Sequence, residues 1–178
     1  MNRGIRQMNV LDAIKTRRSI RKYTSEKVDP SLLEKVLEAG RLAPSAHNKQ
    51  PWHFVVATTP QAVEKVKNAY VGRTEINAPV FIVVCADPKE AWVREVDGEE
   101  FWKIDASIAM QNMILAATEL GLGTCWIGAF KEKALKRALK IPRRIRIVAI
   151  TPLGYPAVKK GEVVDRKPLS QIVHYEHW

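Results

Sequence analysis

The stretch spanning residues 101–120 constrains this chain more than any other. Written as a helix, it puts Ile104, Ile108, Ala109, Met110, Met113, Ile114, Leu115, Ala116, Ala117 and Leu120 around nearly the whole circumference. A helix with no wide polar stripe has no side to give to solvent, so it runs through the centre of a fold or lies in a seam between subunits. It is not a membrane span: Asp105, Gln111, Asn112 and Glu119 interrupt it, and a span needs about 20 apolar residues with few or no charges. Gly121 follows as a left-handed stop. Met110, Met113 and Ile114 are expected to meet their symmetry mates across a two-fold axis.

Around this helix, short β-branched runs are separated by amphipathic segments. A short helix is predicted near Val10–Thr16. Asp29 then reads as an N-cap with Pro30 at the first helical position, and Leu32, Leu33, Val36 and Leu37 give a 3.6-residue stripe to about Leu42. Residues 44–51 form a proline-stiffened loop. Strands are predicted at 53–59, 80–86, 124–129 and 145–153, with a helix over 60–70. The 80–86 run, VFIVVCA, is apolar throughout, as a strand covered on both faces requires. Residues 87–100 are a charged surface excursion, and 158–178 show no clear element. Strands and helices without strict βαβ alternation predict an α+β fold, and residues 1–178 are expected to form one domain.

The chain carries a formal charge of +10. Its basic residues concentrate at 17–22 and 131–146. The second cluster contains an amphipathic helix with Leu135, Ala138 and Leu139 inward and Lys133, Lys136, Arg137 and Lys140 toward water, so it reads as a solvated surface. Cys85 and Cys125 lie in apolar stretches without CxxC spacing and read as packed thiols. No metal site is expected; His174 and His177 lack a third ligand nearby. The opening residues show no leader-like apolar run, so the expected location is the cytoplasm.

Three clusters carry chemistry. Arg17-Arg18-Ser19-Ile20-Arg21 follows the first short helix, residues 43–52 read APSAHNKQPW, and Arg166-Lys167 lies near the end. Guanidinium groups offer forked donors that match phosphate oxygens, and a serine hydroxyl adds another. Asparagine and glutamine amides both donate and accept, which suits the polar edge of a flat heteroaromatic ring. Alone, RRSIRK is most often a solvated basic turn and can pass for a nucleic-acid patch, and the proline loop can be only a stiff connector. The aromatic-rich strand motifs of single-stranded nucleic-acid binders are absent from the sequence, so neither nucleic acid nor membrane is expected as a partner.

Taken in order, RRSIRKY, APSAHNKQPWHFVVAT, DASIAMQNMILAATELGLGTCWIGAF, LGYP and RKPL resemble the nitroreductase family of flavoproteins over nearly the whole chain. The resemblance implies a mixed central β-sheet flanked by helices and an intertwined homodimer. It implies FMN bound through its phosphate and ribityl groups by Arg17, Arg18, Ser19 and Arg21, with Arg166 and Lys167 on the phosphate. Pro44, Ser45, Asn48 and Gln50 would approach the flavin from the partner subunit, and Ile127 and Gly128 would pass near its reactive N5. The implied activity is ping-pong: NAD(P)H gives a hydride to FMN, and a small electron-poor acceptor such as a nitroaromatic or quinone takes the electrons. No catalytic side chain is implied, because the flavin supplies the electron chemistry. The same resemblance covers dehalogenating or flavin-degrading members and non-catalytic flavin sensors. Residues 70–78 look abbreviated against the family pattern, and residues 87–100, with Trp92, stand where a helical cover over the substrate is usual.

Overall fold

The computed structural model describes residues 8–178, so the opening residues 1–7, part of the segment searched for a leader, lie outside the described residues. In chain order the elements are α1 (Val10–Thr16), α2 (Pro30–Arg41), β1 (Trp52–Ala57), α3 (Pro60–Ala69), β2 (Val80–Ala86), β3 (Val93–Arg94), β4 (Glu99–Glu100), α4 (Trp102–Glu119), β5 (Gly123–Thr124), α5 (Glu132–Ala138) and β6 (Arg146–Gly154). Asp29 and Thr59 cap α2 and α3 through their side chains, each with proline at the start of the helix. The result is an α+β fold.

Four strands make the central sheet in the order β1-β2-β6-β5, each pair antiparallel. Its parallel element is one bridge, from Ser19 to Thr124 at the β5 edge. All seven residues of β2 are buried, and they alternate between two cores. Phe81, Val83 and Cys85 pack with Val66 of α3 and Leu135 of α5. Val80, Ile82, Val84 and Ala86 pack with Val36 of α2 and with Met110, Met113 and Ile114 of α4. A register shift between Val84 and Cys85 leaves Val148 without a partner on β2. Val148 and Ala149 consequently both join the α2/α4 core, a use of the extra residue typical of a bulge.

The structure corrects two expectations. Met110, Met113 and Ile114 do not face outward: each is at most 1% exposed and buried within its own chain. The large apolar residues of α4 that do reach solvent are Ile104, at 42%, and Ile108, at 37%. A helix apolar on all sides does not mark its outer face. Here that face is set by Gly40, where a Cβ would sit 2.8 Å from the Met113 Cγ, so α2 closes tightly over Met113.

The strand expected at 124–129 is also shorter. Pairing covers Gly123–Thr124, lapses, and returns at one bridge between Ile127 and Ile150. Continuing the Thr124–Leu153 register sets Cys125 against Pro152, and proline has no N–H to give the ladder there. Elsewhere the excursion at 87–100 folds into the β3–β4 hairpin, and the tail contains a single short turn at Leu169–Gln171. Among the described residues, no helix is long and apolar enough to cross a membrane.

The Gly40 contact yields a test. Overpacking a close-packed core costs about 1–3 kcal/mol, and the gain in helix propensity from glycine to alanine returns at most about 1 kcal/mol. Gly40→Ala is therefore expected to lower the urea midpoint with an unchanged slope, and an equal or higher midpoint would show that Met113 yields freely.

Candidate functional site

Helix α1 ends at Arg17, whose amide donates to the Ala13 carbonyl at 2.9 Å. The chain then runs extended along β5. Ser19 bridges to Thr124, and the Ile20 amide donates to the Thr124 carbonyl at 2.8 Å. Ile20 and Tyr23 turn into the α3/α5 core, and the Tyr23 hydroxyl donates to the Ile20 carbonyl at 2.6 Å. Burial of that hydroxyl holds the phenol well above its ordinary pKa. Gly123 allows this close seat, since a Cβ there would lie 2.9 Å from the Ile20 side chain.

With Ile20 anchored inward, Arg17, Arg18, Ser19 and Arg21 lie half-buried at the surface. Arg18 is partly committed, its guanidinium donating to the Gly161 carbonyl. Lys160 donates to the Ser19 carbonyl at 2.8 Å, and Lys15 pairs with Glu162 at 3.6 Å. The segment at 160–162 is thus laid along the arginines. Arg166 and Lys167 follow it and are exposed.

Beyond β5, Ile127 is buried through its bridge to Ile150, whereas Gly128 is exposed. A Cβ on Gly128 would meet nothing within 4 Å. The arginine segment and Gly128 therefore stand at the two ends of the stretch 124–128, which forms one wall: Arg17, Arg18, Ser19 and Arg21 beside Thr124, and an open glycine backbone past Ile127.

The loop at 44–50 is built separately. Its residues His47, Asn48 and Gln50 have φ of 51°, 53° and 50°, a left-handed conformation that non-glycine residues adopt at a cost. Internal bonds hold it: the Gln50 amide donates to Ser45 Oγ at 2.9 Å, and Gln50 Nε2 to the Asn48 carbonyl at 3.1 Å. The Ala46 amide donates to Asp105 Oδ1 at 3.1 Å. Trp92 stacks on His47 with centroids 5.1 Å apart and meets Phe101 edge-on at 4.7 Å. Pro44, Asn48 and Gln50 remain exposed and Ser45 half-buried. The residues 87–100 thus reach the loop through Trp92. Asp105, which interrupts the apolar run of α4, is the acceptor that fixes this loop. Its other oxygen, Oδ2, is buried without a hydrogen-bond partner among the described residues, and burial raises its pKa against the opposing Ala46 N–H.

One chain does not bring the loop to the arginine wall. The loop is fixed at Asp105, in the first turn of α4, while the wall stands beyond Glu119 at the other end. At 1.5 Å per residue those positions are about 21 Å apart. The loop also enters β1, and β1 and β5 are opposite edges of the sheet, about 14 Å apart across three strand spacings. The sequence-predicted site residues therefore form two separate clusters on different parts of the surface.

Comparison with known proteins gives a consistent picture. The model of the nitroreductase family matches residues 14–76 and 74–155, a span that includes the arginine segment, the loop and Gly128 but not Arg166 or Lys167. A putative NADH dehydrogenase/NAD(P)H nitroreductase of Methanothermobacter thermautotrophicus is 38% identical over 181 residues, covering 98% of this chain and 90% of the relative. The crystal structure of a nitroreductase family protein from Clostridium difficile superposes with a TM-score of 0.90 at 34% identity, covering 96% of this chain and all of the other. A putative nitroreductase from Desulfovibrio desulfuricans, solved in complex with FMN, gives a TM-score of 0.81 at 34% identity, covering 96% and 98%.

Asp105 yields a pH test. Its raised pKa means that the folded state holds the proton more tightly than the unfolded chain. The cost of the buried charge therefore appears as pH rises from the unfolded value of about 3.9 through the folded one. Asp105→Asn keeps an oxygen for the Ala46 amide and removes that charge. It is expected to be more stable than the parent at neutral pH and equal to it below pH about 4; a neutral-pH loss of stability would mean that Oδ2 has a partner in solution.

Proposed function

The chain belongs to the nitroreductase family, and on that premise we propose that it is an FMN-dependent oxidoreductase, working as a cytoplasmic homodimer. It takes hydride from NAD(P)H and passes the electrons to small electron-poor acceptors, nitroaromatics or quinones among them. The observation that carries this reading is the wall at β5: arginines and a serine anchored on Thr124, continuous with an open glycine backbone at Gly128. A phosphate at one end and a flat ring at the other match it. The FMN complex of the Desulfovibrio protein supports the same cofactor.

Bound FMN supplies the electron-carrying ring, so the chain's own task is to bind it, orient it and exclude water. Arg17, Ser19 and Arg21, joined by Arg166 and Lys167, neutralise and fix the phosphate. Arg18 contributes one donor while holding the 160–162 segment by another. Ile127 backs the ring from the core, and Gly128 lets its edge come against the backbone. Pro44, Ser45, Asn48 and Gln50 reach the ring from the partner, because the loop stands too far from the wall of its own chain. Two half-sites at opposite ends of α4 become two whole sites when a two-fold axis sets the chains antiparallel.

The surface supports that dimer. Ile104 and Ile108 of α4 are exposed, as are Val10, Leu11 and Ile14 of α1, which packs against α4. In the tail, Leu169, Ile172, Tyr175 and Trp178 also project into solvent. Apolar side chains in that number on one chain favour an intertwined form in which the tail wraps the partner.

Two measurements test the reading. In a flavin titration, Arg17→Ala is expected to weaken FMN binding roughly ten- to hundredfold, the worth of a hydrogen bond to a charged group at about 1.5–3 kcal/mol. Lys65→Ala, at an exposed position of α3, is expected to leave it unchanged; equal effects would remove Arg17 from the site. Ile108→Asp is expected to split the dimer in light scattering and release the flavin with it. A folded monomer that still binds FMN as the parent does would rule out the shared site.

A further inference from the structure

A second cluster of cations lies at the Arg146 end of β6, away from the Leu153–Thr124 pair. Helix α5 and the turn after it border an open hollow of about 920 Å³ lined by Lys133, Lys136, Arg137, Lys140, Arg143 and Arg146, with one carboxylate, Glu132. That carboxylate is already used: it accepts from Arg146 at 2.9 and 3.2 Å and from the Ile147 amide at 3.2 Å. None of the other five cations has a carboxylate within 4 Å among the described residues. The rim is also fixed. Lys140 ends α5 in a left-handed turn with φ of 55°, Lys136 donates to the Arg143 carbonyl at 2.6 Å, and the Arg146 guanidinium lies 5.2 Å over the Trp102 ring. Buried Ile141 adds an apolar wall.

We propose that this hollow binds organic polyphosphates, ligands of the nucleoside triphosphate class. A solvated lysine face, the expectation from sequence for residues 131–146, spreads its charges outward. Here they line a single concavity, whose volume falls in the range of about 300–1,000 Å³ typical of small-molecule sites. Five uncompensated cations distributed around it suit a chain of phosphates better than a single one. The guanidinium planes and the apolar wall suit a stacked base. A nucleic-acid duplex asks instead for a continuous basic stripe. The hollow is distinct from the flavin wall. Arg146 and Leu153, the partner of Thr124, are seven residues apart on β6, about 24 Å at the strand rise.

Isothermal titration of the protein in excess FMN, at low salt, tests the site with ATP, inorganic tripolyphosphate and adenosine. ATP and tripolyphosphate are expected to bind and adenosine not to. ATP binding tighter than tripolyphosphate identifies a nucleotide, and equal affinity identifies the phosphate chain alone as the ligand. Lys133→Ala/Arg137→Ala changes two exposed helical positions to the best helix former. It is expected to weaken both ligands about tenfold or more with melting temperature and flavin content unchanged, and Lys133→Arg/Arg137→Lys to keep them. The proposal is overturned if neither polyphosphate binds, if binding survives the alanine pair, if ATP releases flavin, or if a duplex oligonucleotide binds and ATP fails to displace it.

Discussion

The fold depends on β2 being dry on both faces. Once seven consecutive residues have no solvent side, the sheet needs a helical layer above and another below, and the chain supplies them as α2 with α4 and α3 with α5. With the faces occupied, only the edges and ends of the sheet are left for binding. The arginine segment takes the β5 edge, the proline loop the β1 edge, and the basic hollow the Arg146 end of β6. No cavity inside the chain is needed for any of them.

Elements whose own residues carry their pattern were legible in the sequence. The α2 stripe and its proline start, the helix at 60–70, the unbroken apolar run of β2 and both ends of the 101–120 helix all stand within a residue or two of expectation. What was not legible depends on a distant partner. The outward face of α4 is decided by Gly40 and Phe54, on another helix and strand. The early end of β5 is decided by Pro152, twenty-eight positions further on. Neither periodicity nor propensity carries that information.

The site divides in the same way. The arginine and proline-loop motifs announce themselves by residue type, and their members lie where local sequence puts them. That they stand at opposite ends of one helix is a three-dimensional fact, as is the bond from Ala46 to Asp105 across 59 positions. The one sign of Asp105 in the sequence was a carboxylate in the first turn of an otherwise apolar helix, too common a helix-start feature to single it out.

The loop's construction explains why it tolerates an uncomfortable backbone. Three non-glycine residues in the left-handed region persist only where the surroundings over-determine them, and here the surroundings are a buried acceptor at Asp105 and an aromatic stack from Trp92 through His47. Asp105 lies in the first turn of α4, the helix that also exposes Ile104 and Ile108, and Trp92 precedes the hairpin that leads into that helix. The shape of the loop and the position of the proposed subunit seam are therefore set by one rigid element. A half-site held in this way can complement a second chain without rearranging, so that little ordering cost falls on association or on cofactor binding.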